Sequence, residues 1–235
     1  MREWLAPLLF ACACAEASSG GGAGTDANNS QRFDGGTQQF FDAPSGSRDA
    51  SVGGGADAAQ QITLNEAANT TVASSGTINC NNEINTGDNQ WYRAYQLSDY
   101  PAITGGLHIS SVMYGIEESA SAPTVTITIG TYTGNLDGTT INGGTVIATA
   151  TDTPADTTQT VETVPISADI PAGGKFVVEI DAPEDDAGYF IVGSTTGMQT
   201  HDGYWGSAVD CTQTPETTTK AGGTGSLIIA VEGTH

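Results

Sequence analysis

From residue 61 onward the chain alternates between apolar and polar positions. Thr124-Val125-Thr126-Ile127-Thr128-Ile129 does so strictly, which places Val125, Ile127 and Ile129 on one face of an extended strand. Trp91-Tyr92-Arg93-Ala94-Tyr95-Gln96-Leu97 behaves alike, with Trp91, Arg93, Tyr95 and Leu97 on one face and Tyr92, Ala94 and Gln96 on the other. β-branched runs at residues 107–117, 145–150, 160–166, 174–180, 189–195 and 226–232 read as further strands. Turn signals separate them: Asp137-Gly138, Asn142-Gly143-Gly144, Pro171-Ala172-Gly173-Gly174 and Gly222-Gly223. No stretch carries the periodicity of an amphipathic helix. Many short strands without helices between them predict an all-β fold, an antiparallel β-sandwich of jelly-roll-like or immunoglobulin-like kind, over residues 61–235. Pro165, which cannot donate to a ladder, marks its run as an edge strand.

The first 60 residues follow different rules. Residues 1–14 carry Arg2 and then a short apolar run, Trp4-Leu5-Ala6-Pro7-Leu8-Leu9-Phe10-Ala11, too short to span a bilayer. The run ends in Leu9-Phe10-Ala11-Cys12, which resembles the lipobox of bacterial lipoproteins and implies lipidation at Cys12. Cleavage after Ala13 or Ala15, as in a plain secretory signal, is the competing expectation. Residues 15–60 are rich in Gly, Ser, Asp and Ala, and such a composition buries too little apolar surface to offset its ordering entropy. They read as a disordered tether, about 45 residues reaching roughly 35–40 Å root-mean-square.

Charge narrows the partners. Six Lys and Arg stand against 27 Asp and Glu, a net charge of −21. Beyond residue 60 the cations are Arg93, Lys175 and Lys220. Nucleic-acid binding needs Lys and Arg to neutralise phosphates, so it is excluded as a function class. An anionic membrane surface is disfavoured for the same reason, which leaves a lipid anchor as the route to a membrane. Cys80 and Cys211 have no Cys-x-x-Cys spacing and no neighbouring His, so zinc is not expected. In an exported protein, two isolated cysteines read as one disulfide.

Four sets of residues are candidates for chemistry. Arg93 lies on the apolar face of its strand, and a buried guanidinium needs a carboxylate or several carbonyls. Glu117 is the expected ion-pair partner, with Glu179 as the alternative. Asp181, Glu184, Asp185 and Asp186 crowd a short loop that would suit Ca²⁺, although the EF-hand and nonapeptide signatures are missing. Tyr204 and Trp205 are aromatics near a predicted strand end, placed to stack on a sugar ring or to pack in the core. His108, His201 and His235 are isolated; His201-Asp202 near Ser207 lacks the Gly-x-Ser-x-Gly elbow of a hydrolase.

The pattern Trp91-Tyr92-Arg93-Ala94-Tyr95-Gln96-Leu97 resembles the aromatic-x-Arg-x-aromatic-x-Leu opening of a β-sandwich module of bacterial secreted and surface proteins, often appended to proteases or adhesin-like chains. Val112-Met113-Tyr114-Gly115-Ile116-Glu117, the run from Ile170 to Ile180, and Tyr189-Phe190-Ile191-Val192-Gly193-Ser194 follow in the order of that module. Gly197-Met198-Gln199-Thr200 and Cys211 complete it. The resemblance implies a Cys80–Cys211 disulfide bracketing the sandwich and no catalytic residues of the module's own. The expectation is therefore a non-enzymatic envelope or secreted protein that displays an interaction or adhesion domain to an extracellular glycan or protein. A carbohydrate-binding module, Ca²⁺-assisted or without cofactor, is the alternative.

Overall fold

The computed structural model describes residues 59–81, 87–142, 144–184, 188–207 and 211–235. The signal-like segment with Cys12, the tether, and Asp185 and Asp186 lie outside the described residues.

Among the described residues the elements are strands and a single 3-10 turn. In chain order they are β1 (Gln61–Asn65), β2 (Asn89–Gln96), the turn Leu97–Asp99, β3 (Leu107–Ala120), β4 (Val125–Thr131), β5 (Val146–Asp152), β6 (Thr157–Ile170), β7 (Lys175–Ala182), β8 (Tyr189–Val192), β9 (Ser194–Thr195), β10 (Gly203–Gly206), β11 (Glu216–Thr217), β12 (Ser226–Leu227) and β13 (Ile229–Thr234). A five-stranded sheet runs β1-β13-β3-β6, with β8 also paired to β3. A six-stranded sheet runs β11-β10-β2-β7-β4-β5, and β12 pairs β9 in a short ribbon. Every pairing is antiparallel. The expected β-sandwich is what the chain forms. β6 is an edge strand, as Pro165 predicts, and its ladder with β3 shifts register between the pairs Ile109–Ala168 and Ser111–Pro165.

The apolar alternation decides the core. Val125, Ile127 and Ile129 of β4 pack with Phe176, Val178 and Ile180 of β7, and from the opposing sheet Ile109, Val112, Tyr114, Val164, Ile166, Ile229 and Val231 join the same cluster. Each fully buried large aliphatic or aromatic side chain contributes about 1.5–3 kcal/mol relative to exposure. Aromatic rings reinforce it: Trp91 meets Phe190 edge-on at 5.9 Å and Tyr95 stacks on Phe176 at 5.0 Å.

The disulfide joins Cys80 to Cys211, with 5.9 Å between their Cα atoms. Disulfides persist in oxidising compartments. Among the described residues no helix is long and apolar enough to cross a membrane.

β2 is covered on both faces. Trp91, Arg93 and Tyr95 point into the sandwich, whereas Tyr92 and Ala94 point outward and are buried as well. The outer cover is the long β4–β5 connection, and that connection shapes the candidate site.

Candidate functional site

Gly203-Tyr204-Trp205-Gly206 is not a loop but strand β10, inserted between β2 and β11. Tyr204 lies opposite Tyr92 on the outer face of the sheet, and Trp205 lies opposite Trp91 on the inner face. Tyr204 is fully buried and Trp205 is 6% exposed, so neither offers a sugar a stacking surface. The expected aromatic platform is corrected to two core residues. Trp205 donates its indole N–H to Asn89 Oδ1 at 2.9 Å. The Tyr204 hydroxyl donates to the carbonyls of Leu136 and Gly138 at 2.6 and 3.0 Å, both in the β4–β5 connection.

The expected Arg93–Glu117 ion pair is likewise corrected. Arg93 is fully buried, and its Nη1 donates to Gln199 Oε1 at 3.1 Å and to the His201 carbonyl at 2.6 Å. Its Nη2 donates to the Leu227 carbonyl at 2.6 Å. Backbone carbonyls and one amide therefore hold the guanidinium. Glu117 instead accepts the Thr77 backbone N–H, and Glu179 lies on the opposite face of the sheet, in register with Tyr92. Desolvation lowers the Arg93 pKa, and the charges of Glu66 and Asp202, not Glu117, counter it.

Of the acidic group expected to hold calcium, Asp181 belongs to β7, where it stands in register with Gln90 and Thr126 on the outer face. Burial raises its pKa, a bond from Gln90 lowers it, and the nearby Asp88 raises it further. Glu184 is exposed past the end of the strand. No cluster of three His, Cys, Asp or Glu suited to a metal occurs among the described residues. His108 is an exposed residue of β3 and sits 2.8 Å from Asp169. Ser207 is 1% exposed and bonds Asp88, far from the role of a hydrolase nucleophile.

The residues that form a concave surface are ones the sequence presented as a turn. β4 ends at Thr131 and β5 begins at Val146. Between them, Tyr132, Leu136 and Ile141 turn inward and pack on Tyr92, Ala94, Val177 and Tyr204, forming a second core on the outer face of the sheet. Their spacing among Thr, Asn and Gly is the sequence signal of a loop that folds down onto a sheet. Asn135 closes the tip: its Oδ1 accepts the Asp137 N–H at 3.3 Å, and its carbonyl accepts the Gly138 N–H at 3.1 Å.

Four neighbours pin this loop. Tyr204 holds Leu136 and Gly138, as above. Lys175 Nζ donates to the Gly134 carbonyl at 3.0 Å, and the Lys175 carbonyl accepts the Tyr132 N–H at 3.2 Å. His201 lies with Nδ1 2.9 Å from Asp137 and Nε2 3.3 Å from Asp99. Thr140 forms a bridge to Glu216 of β11. At the base, the Thr131 N–H reaches the Thr145 carbonyl and the Thr145 N–H reaches Thr131 Oγ1, at 2.9 and 3.0 Å. Glycine is required there, because a Cβ at Gly144 would collide with the Thr131 carbonyl oxygen.

The outward side of the pinned loop encloses a concavity of about 450 Å³, lined by Thr131, Tyr132, Thr133, Gly134, Asn135, Gly138, Thr139, Thr140, Asn142 and Gly144. Thr133, Asn135, Thr139, Thr140 and Asn142 are exposed around it. No hydrogen bond among the described residues engages the side chains of Thr133, Thr139, Thr140 or Asn142. No acidic or basic side chain lines the concavity. Burial raises the pKa of Tyr132 in the lining. For His201, partial burial lowers the pKa, but the bond to Asp137 and the charges of Glu66, Asp137 and Asp99 outweigh this and raise it.

Comparison with protein-family models, with curated proteins and with solved structures returned no match.

Proposed function

We propose that this chain is an exported envelope protein, lipid-anchored at Cys12, whose β-sandwich is a non-catalytic interaction domain. Its recognition surface is the loop of residues 131–144. The observation that carries this reading is the contrast within that loop. Its inner side is tied to β7, β10, β11 and His201, while Thr133, Thr139, Thr140 and Asn142 stand exposed with unengaged side chains. A loop backbone held this firmly presents polar side chains with little backbone ordering cost on binding.

The Cys80–Cys211 bridge supports an oxidising destination, and Leu9-Phe10-Ala11-Cys12 supports a lipid anchor. The polar tether would lift the domain clear of the headgroup layer. A non-catalytic role is supported by the engagement of the catalytic-type groups: both ring nitrogens of His201 face carboxylates, and Ser207 is buried on Asp88.

Two measurements test the reading. Cys12→Ala should move the protein from the detergent phase to the aqueous phase, and unchanged partitioning removes the anchor. Thr139→Ala combined with Asn142→Ala should abolish adhesion of the purified chain to extracellular-matrix-coated and glycan-coated surfaces while leaving the thermal midpoint unchanged. Adhesion that survives the double substitution removes the loop as the recognition surface.

A further inference from the structure

We propose that the concavity of residues 131–144 binds a neutral oligosaccharide, without a bound cation. This assignment rests on the reading of that loop as the recognition surface and names its ligand class. Three properties of the lining point to it.

The first is the type of polar group. Thr133, Thr139 and Thr140 contribute hydroxyls, each able to donate one hydrogen bond and accept others, and Asn142 contributes a carboxamide that does both. Sugar hydroxyls are likewise donors and acceptors at once, so a mixed lining matches them. A lining of donors alone would suit an anion, and one of acceptors alone a cation.

The second is charge. Lys175 is committed to the Gly134 carbonyl at 3.0 Å, Lys220 to Glu216 at 2.7 Å, and neither lines the concavity. A phosphate, sulfate or carboxylate would find no counter-charge in the concavity and would approach a chain of net charge −21. The carboxylate at the loop tip, Asp137, is held by His201 at 2.9 Å and does not line the concavity, so a hard cation has no anionic ligand there.

The third is shape. About 450 Å³ falls within the range of small-ligand clefts, about 300–1,000 Å³. Tyr132, buried with its hydroxyl turned onto the Asn135 carbonyl at 2.9 Å, closes the base, so the accessible part of the concavity is formed by the polar side chains around it.

The test uses the full chain with its disulfide intact, labelled with ¹⁵N and titrated with maltotriose, cellotriose, laminaritriose, mannotriose and chitotriose at millimolar concentration. The expected result is saturable shift changes confined to amides of residues 131–144 with at least one trisaccharide. They should be unaffected by a calcium chelator and weakened at least tenfold by Thr139→Ala with Asn142→Ala, at unchanged thermal midpoint. No response to any of the five, a response mapped elsewhere on the domain, or loss of the response on chelation overturns the assignment. The adhesion measurement separates the two levels. If the double variant loses adhesion while wild-type chain ignores all five sugars, the ligand class is wrong and the recognition loop stands; if adhesion is unaffected, the recognition loop itself fails.

Discussion

Trp205 gives its indole N–H to Asn89, and Asn89 is wholly buried with every polar position of its carboxamide in use. Oδ1 also accepts the Cys80 N–H at 2.6 Å, while Nδ2 donates to the carbonyls of Cys80 and Gly87 at 3.0 and 2.8 Å. One side chain thus ties β2, β10 and the disulfide-bearing segment together.

Asn89→Leu should therefore destabilise the domain by about 3 kcal/mol or more, since it strands several buried partners at about 1–3 kcal/mol each. Trp205→Phe, which leaves one acceptor position vacant and keeps most of the packing, should cost less. Denaturant unfolding of the two variants measures the difference; near-equal, sub-kilocalorie losses would show that Asn89 is not the tie.

Arg93→Met should destabilise by about 2–4 kcal/mol, because the carbonyls of His201 and Leu227 and the Gln199 amide oxygen lose their donors inside the core. Glu117→Gln should stay within about 0.5 kcal/mol of wild type, since Glu117 does not hold Arg93. A loss in Glu117→Gln as large as that in Arg93→Met would restore the ion pair.

Stability should rise on mild acidification. Burial raises the pKa of Glu179, Asp181 and Glu117, and the bond to Asp137 with the surrounding carboxylates raises that of His201. A group whose folded pKa exceeds its unfolded value contributes in full below the unfolded value, and the contribution is lost as pH rises through the folded one. The carboxyl groups act from about pH 4 upward and His201 from about pH 6.5 upward. Self-repulsion in a chain of net charge −21 has the same sign. The thermal midpoint should be higher near about pH 5 than near about pH 8, and His201→Asn should flatten the upper part of that slope. A midpoint that climbs steadily to about pH 8 would contradict this.

Reduction should lower stability by up to about 5 kcal/mol, the chain-entropy value for a bridge across 131 residues. Intact mass should increase by two hydrogens under denaturing reduction. Two free thiols at Cys80 and Cys211 in protein recovered from the cell envelope would contradict the bridge.

Alternation along the chain was enough for the all-β class, for most strands, for the edge position of β6 and for the inward face of Trp91, Arg93 and Tyr95. These are local matters: period two follows from backbone geometry, and proline's missing donor needs no partner to be recognised. The sequence also singled out Cys80 and Cys211 as the pair to join. What it could not settle depends on partners distant along the chain. Gly203-Tyr204-Trp205-Gly206 is too short and too glycine-flanked to show a strand period, and only its insertion between β2 and β11 buries both aromatics. The acceptors of Arg93 include the carbonyl of Leu227, 134 residues away, and carbonyls are the same in every residue type. His201 looks isolated until folding brings Asp137, 64 residues away, against its ring. The loop of residues 131–144 carries turn residues in the sequence, but its concave form exists only because Tyr132, Leu136 and Ile141 find an apolar sheet face beneath them and Tyr204, Lys175 and His201 pin it there.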